Sequence, residues 1–138
     1  MKKTLLMLGG LLLATALTVG LIENQTVKAQ QDPVKRTVLF KTDLEGAQGK
    51  EINLIMVELT PGAESGKHYH PGDEIGYVVS GSATLEIEGK KPTAVKSGSV
   101  LHLTPKQVHN VRNAGKAPLK VVVLGIYAKG EPVATPVK

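Results

Sequence analysis

The 138-residue chain has no cysteine, no tryptophan, one phenylalanine and three tyrosines. Without cysteine there is no disulfide framework, no thiolate zinc cluster, no cysteine nucleophile and no lipidated cysteine anchor. Any metal must therefore be held by nitrogen and oxygen. The scarcity of aromatics removes a stacking platform for bases, and the lysines are scattered rather than gathered on one helix face, so nucleic acid is rejected as the main partner. Charge is unremarkable as well: 17 basic against 12 acidic side chains give +5, and 41% apolar residues are too many for a disordered chain. What remains is one globular domain behind a segment of different character.

That segment begins with Lys2 and Lys3 and continues from Thr4 to Ile22 for 19 residues without a formal charge. Polar residues follow, and Val27-Lys28-Ala29 puts modest side chains three and one residues before a possible cut. Residues 1–29 read as a secretory signal peptide cleaved after Ala29. If retained, the same run is just long enough to anchor the chain, so membrane contact is expected only through the leader. The domain, residues 30–138, is expected in the periplasm or secreted. Its tail, residues 129–138, carries Pro132 and Pro136 and is expected to be extended, either loose or laid against a partner subunit.

Between leader and tail the pattern is that of strands. Residues 51–59 are apolar on both parities, with Ile52, Leu54 and Met56 against Ile55, Val57 and Leu59, which predicts a strand buried on both faces. Residues 82–88 alternate, with Ala83, Leu85 and Ile87 facing a core and Thr84, Glu86 and Glu88 facing water. Further β-rich runs cover 37–40, 75–79, 93–95, 99–103 and 119–127. Turns at Pro61-Gly62, Pro71-Gly72, Ser80-Gly81, Glu88-Gly89, Ser97-Gly98 and Asn113-Ala114-Gly115 leave no window for a long amphipathic helix. Short strands at this spacing predict an all-β sandwich or barrel.

Four residues carry the chemistry. His68 and His70 are two apart, so on an extended strand their side chains share a face with Cα atoms about 6.6 Å apart. Pro71-Gly72 breaks the strand and lets the chain return through Glu74, and His109 comes from a distant part of the sequence. Three imidazoles and a carboxylate form a nitrogen and oxygen set that suits one divalent transition-metal ion, whether Zn, Cu, Ni, Fe or Mn, with a position left open. A protein that folds outside the cytoplasm meets competing zinc and copper, which weights the expectation toward the tighter-binding ions. His102 lies between Leu101 and Leu103 and reads as structural. Tyr69 points away from its flanking histidines, and Asn113 reads as a turn residue that hydrogen-bonds its own loop.

These residues resemble the cupin family. Its first motif is met by Gly62, His68, His70, Glu74 and Gly81, and its second by Gly98, His109 and Asn113, with two departures where Thr104 stands for a usual proline and Lys106 for a usual glycine. The resemblance spans residues 50 to 128. It implies a double-stranded β-helix (jelly-roll) barrel, often a homodimer, with metal in the barrel mouth. It also implies a small-molecule substrate or ligand and, as the first reading, a dioxygenase-like enzyme in which Glu74 is both ligand and catalytic proton acceptor. A metal-assisted isomerase or lyase, and a non-catalytic metal- or ligand-binding protein of the cell envelope, stay open beside it.

Overall fold

A computed structural model describes residues 32–138, so the expected leader lies outside the described residues. Ten strands follow one another: β1 Val34–Asp43, β2 Lys50–Leu59, β3 His68–Tyr69, β4 Asp73–Ser80, β5 Ser82–Ile87, β6 Thr93–Lys96, β7 Val100–Leu103, β8 His109–Arg112, β9 Leu119–Ala128 and β10 Thr135–Pro136. They form two five-stranded antiparallel sheets, ordered β1-β2-β9-β4-β7 and β10-β3-β8-β5-β6. This is the double-stranded β-helix that the cupin resemblance implied, and it meets the broader expectation of a sandwich or barrel read from the strand and turn pattern. The β-rich runs read from sequence all fall on strands, and β3, β8 and β10 are too short to announce themselves by periodicity.

The core lies between the sheets, where Leu59, Val78, Leu85, Val95, Leu101, Leu103, Leu119 and Val121 form one buried aliphatic cluster. Each such side chain contributes about 1.5–3 kcal/mol when removed from water, and the cluster includes none of the candidate metal ligands. The turns follow their glycines: Gly62, Gly81 and Gly98 all adopt positive φ. Gly81 is constrained twice, by φ +86° and by Pro118 O, which a Cβ there would meet at 2.7 Å. Lys106 takes the left-handed φ of 63° at the position where the resembled motif has glycine. A lysine thus adopts there a backbone conformation that favours glycine, and the Lys106 ammonium lies 4.8 Å from the centre of the Tyr69 ring.

Two expectations need correction. Strand β2 is not buried on both faces: its odd positions Glu51, Asn53, Ile55 and Leu59 are buried, whereas Ile52, Leu54 and Met56 are only half-buried. Apolar residues on the even parity line the outer face of the first sheet, beside exposed Phe40, Ile75, Tyr77 and Val100. The buried polar pair on the odd parity is satisfied internally, with Asn53 Nδ2 donating to Glu51 at 3.1 Å and Lys41 pairing with Glu51 at 3.0 Å. The tail is neither loose nor laid only against another subunit. Thr135 and Pro136 pair with Tyr69 and His68, and Val137 N–H donates to Lys67 O at 2.9 Å, so the segment straps the mouth of its own barrel.

Candidate metal centre

The two sheets bring the motif residues to one end of the barrel. His68 on β3 is the register partner of His109 on β8, and His70 follows β3 directly. Glu74 reaches in from the other sheet, where it sits on β4 opposite Gly125 of β9 and Leu103 of β7. All four are buried. One potential ligand atom from each of His68, His70 and His109 lies within 4.8 Å of the others, with ring centroids 4.3 to 5.0 Å apart. Glu74 stands beside this trio, its Oε1 3.3 Å from His70 Nε2.

Each imidazole is oriented by a backbone carbonyl. His68 Nδ1 donates to Gly66 O at 2.7 Å, His70 Nδ1 to Val133 O at 2.7 Å, and His109 Nδ1 to Gln107 O at 3.0 Å. With every Nδ1 proton so engaged, the neutral rings present Nε2 lone pairs to the interior, which is the tautomer a metal requires. His70 Nε2 is the one buried side-chain polar atom without a hydrogen-bond partner among the described residues. A lone pair there faces a carboxylate oxygen, an arrangement that calls for a cation between them, either a proton or a metal. The donor set therefore fits a divalent transition-metal ion.

Electrostatics follow the same logic. Burial pulls His109 down to about 4 and also lowers His68, so both are neutral near pH 7. Burial acts on His70 in the same direction, but the Glu74 carboxylate and the Val133 carbonyl outweigh it and the net shift is upward. For Glu74, burial raises the pKa, yet the bond to His70 and the Tyr127 hydroxyl leave it lowered overall. In metal-free protein the pair thus favours a proton on His70 and a charge on Glu74. Its stability has two limbs. Below the ordinary histidine pKa of 6.5 the unfolded chain takes up a proton that folded His109 refuses until about 4, so stability falls as pH drops through that window, by about 3 kcal/mol. His70 acts oppositely: its contribution is complete below 6.5 and is lost as pH rises through its elevated folded pKa. Urea midpoints of chelator-treated protein should therefore peak near pH 6.5; a profile flat from pH 4.5 to 8 would contradict the assignment.

Tyr127 was not singled out by sequence reasoning. It is 1% exposed, and its hydroxyl donates to Glu74 Oε2 at 2.7 Å. Burial and the Glu74 charge push its pKa up, so it stays a donor. It reaches Glu74 across the bare backbone of Gly125, where a Cβ would fall 2.0 Å from the ring. The parity of β9 shows that Tyr127 faces inward, but nothing in the sequence shows that its ring folds back over Gly125. Tyr127→Phe should cost about 1–3 kcal/mol by leaving Glu74 Oε2 without its donor, and Gly125→Ala should cost at least as much by evicting the whole ring. Urea denaturation of both variants at neutral pH measures this.

The motif residue Asn113 has a structural place, and His102 and Gly76, outside the motifs, lie apart from the trio. Asn113 is fully buried and closes its turn, with Nδ2 donating to Leu59 O and Ala117 O and Oδ1 accepting from Gly115 N–H, all at 3.0 Å. His102 lies on the outer face and pairs with Asp73 at 2.9 Å, far from an apolar core role. Gly76 borders the cavity, where a Cβ would touch Val121 and Leu101 at 3.4–3.5 Å. The cavity itself has a volume of about 590 Å³ and runs from the histidines down into the aliphatic interior, roofed by Val133, Ala134 and Pro136 of the strap.

Residues 55–125 match the Cupin domain family, which is half of the chain, and the protein belongs to that family. Among characterised relatives, the tetracenomycin polyketide synthase protein TcmJ of Streptomyces glaucescens is 33% identical over 67 residues, covering 48% of this chain and 44% of that protein. The chain spans less than half the length of the curated relatives it matches. Among solved structures, an uncharacterized protein with a double-stranded β-helix domain from Klebsiella pneumoniae superposes with a TM-score of 0.63 at 24% identity, over 81% of this chain and 90% of that one. The DMSP lyase DddQ from Ruegeria pomeroyi does so with a TM-score of 0.63 at 21% identity, over 82% and 56%. These two likenesses concern the fold.

Proposed function

We propose that this cupin is a metal-dependent enzyme acting on a small organic substrate, with His68, His70 and His109 holding one divalent transition-metal ion. The observation that carries the reading is the inward-facing Nε2 trio at the head of a cavity of about 590 Å³. When bound, the ion supplies Lewis-acid polarisation of a substrate oxygen and, if redox-active, electron chemistry with dioxygen. The three carbonyl-held imidazoles keep the ligand atoms fixed, and the aliphatic walls exclude water from the reacting end. Tyr127 holds Glu74 Oε2, which leaves Oε1, beside His70 Nε2, as the oxygen that accepts or returns a proton or joins the histidines as a fourth ligand.

An oxygenase is the first form of this proposal. A metal-assisted lyase or isomerase is the second, favoured by a carboxylate that is already held by a tyrosine beside the trio rather than within it. Metal-loaded protein offered flavonoid, thiol, aromatic-diol and uronate substrates separates them. Oxygen uptake tied to one substrate supports the oxygenase, product without oxygen uptake supports the lyase or isomerase, and bound metal without turnover supports a binding protein of the cell envelope. Export is part of the proposal, supported by the basic start and uncharged run of residues 1–29; the exported protein should begin at Gln30. So is a homodimer, supported by the exposed apolar residues on the outer face of the first sheet, and light scattering would measure it.

A further inference from the structure

The geometry points to an organic acid with an apolar body as the ligand of this cavity. The inference deepens the proposed function and rests on it for the reacting end alone, because the acid-binding end is built from other residues. The walls are supplied by Ile55, Val57, Leu101, Val121 and Val123 together with the strap. Ser65 is the one lining hydroxyl, and it is already engaged with Gly66 O, Asn110 Oδ1 and Val111 N–H. A polyhydroxylated ligand would lose its hydration there without replacement, whereas an alkyl or aryl body is favoured by about 25 cal/mol for each Å² it buries.

Charge selects the other end of the ligand. The titratable lining groups are Arg36, Lys67, the three histidines and Glu74. Glu74 is the only acid among them, and it is already engaged by Tyr127 and His70. Arg36 is fixed on the inner face of β1 by register, since it is the partner of Val57, between Val34 opposite Leu59 and Val38 opposite Ile55. The nearest acid along β2, Glu58, is on the other face and pairs with Lys120 at 2.8 Å. Lys67 stands immediately before His68, and its carbonyl is tied to the strap. Among the described residues neither Arg36 nor Lys67 forms an ion pair. Lys67 also borders a neighbouring pocket with Glu86 and Glu88 but pairs with neither, so the cavity rim holds two cations whose charge no acid of its own lining offsets. An anionic headgroup completes that balance, and a neutral or cationic one does not.

Isothermal titration of the full chain with octanoate, octanamide and succinate tests this, in zinc-loaded and chelator-treated forms. Wild-type protein should bind octanoate about tenfold more tightly than octanamide, the worth of one partly exposed charge-assisted hydrogen bond, and more tightly than succinate, which lacks the apolar body. Added salt should weaken octanoate and spare octanamide. The pair of substitutions Arg36→Met and Lys67→Met should abolish the preference for octanoate over octanamide while leaving zinc content and thermal midpoint unchanged. Equal binding of octanoate and octanamide by the wild type overturns the inference, as does a preference that survives the double substitution. A preference that survives it and vanishes on chelation assigns the acid to the ion, overturning the role of Arg36 and Lys67 while leaving the metal centre intact. Protein that takes up no zinc yet still discriminates octanoate through Arg36 and Lys67 supports the inference and counts against the metal centre.

Discussion

Replacing His109 with alanine should lower zinc affinity at least about a hundredfold while leaving a cooperatively folding barrel. The size follows from removing one of three imidazoles, since even the loss of a partner that merely orients a ligand costs tenfold to a hundredfold. The survival of the fold follows from where the stability resides. The aliphatic cluster around Leu59, Val78, Leu119 and Val121 lies between the sheets and needs no ion. His109 contributes only its backbone to the pairing of β8 with β3 and β5, and its imidazole makes one bond, to Gln107 O. Alanine keeps the first and loses the second. The variant should also lose much of the acid limb of the stability profile, because the buried neutral histidine responsible for it is gone. Titration with a competing chelator and a urea curve on the same sample measure both effects. Non-cooperative unfolding would show the site to be part of the structural core instead.

Removing residues 131–138 should weaken zinc binding about tenfold to a hundredfold, although none of them offers a ligand atom to the trio. The strap acts through Val133, whose carbonyl accepts the His70 Nδ1 proton at 2.7 Å and so holds the tautomer that aims Nε2 inward. It also roofs the cavity, and its loss admits water to the ligand atoms. Val137→Pro should reproduce a smaller part of the loss, because it deletes only the donor to Lys67 O. The thermal midpoint of metal-free protein should change little in either variant, since β10 lies at a sheet edge and supplies no member of the buried aliphatic cluster. Unaltered zinc affinity in the truncated protein would show that the Val133 carbonyl has no hold on the centre.

The strap also shows where sequence reasoning reaches its limit. The histidine spacing and the turn glycines were legible because they are local: a two-residue step on an extended chain and a backbone forced to positive φ can be read without a fold. His109 was legible as a third nitrogen donor for the set, and the spacing of the resembled motif added to that reading. The tail's destination, the reach of Tyr127 over Gly125 and the inward side of Arg36 depend on tertiary register, and a segment such as Thr135-Pro136 is too short for periodicity to declare it a strand. Strand β2 misled for a related reason. Apolar residues on both parities suggested burial on both faces, whereas one parity faces the core and the other forms the apolar outer face of a sheet.

The most direct measurement is elemental analysis of the purified protein together with nitrogen-resolved NMR of its histidines as zinc is added. One ion per chain, with His68, His70 and His109 each keeping a protonated Nδ1 and shifting at Nε2 on binding while His102 does not respond, is the result predicted by the inward-facing trio. Protein that takes up no divalent ion, with His68 and His109 titrating as freely as solvent-exposed imidazoles, would contradict it.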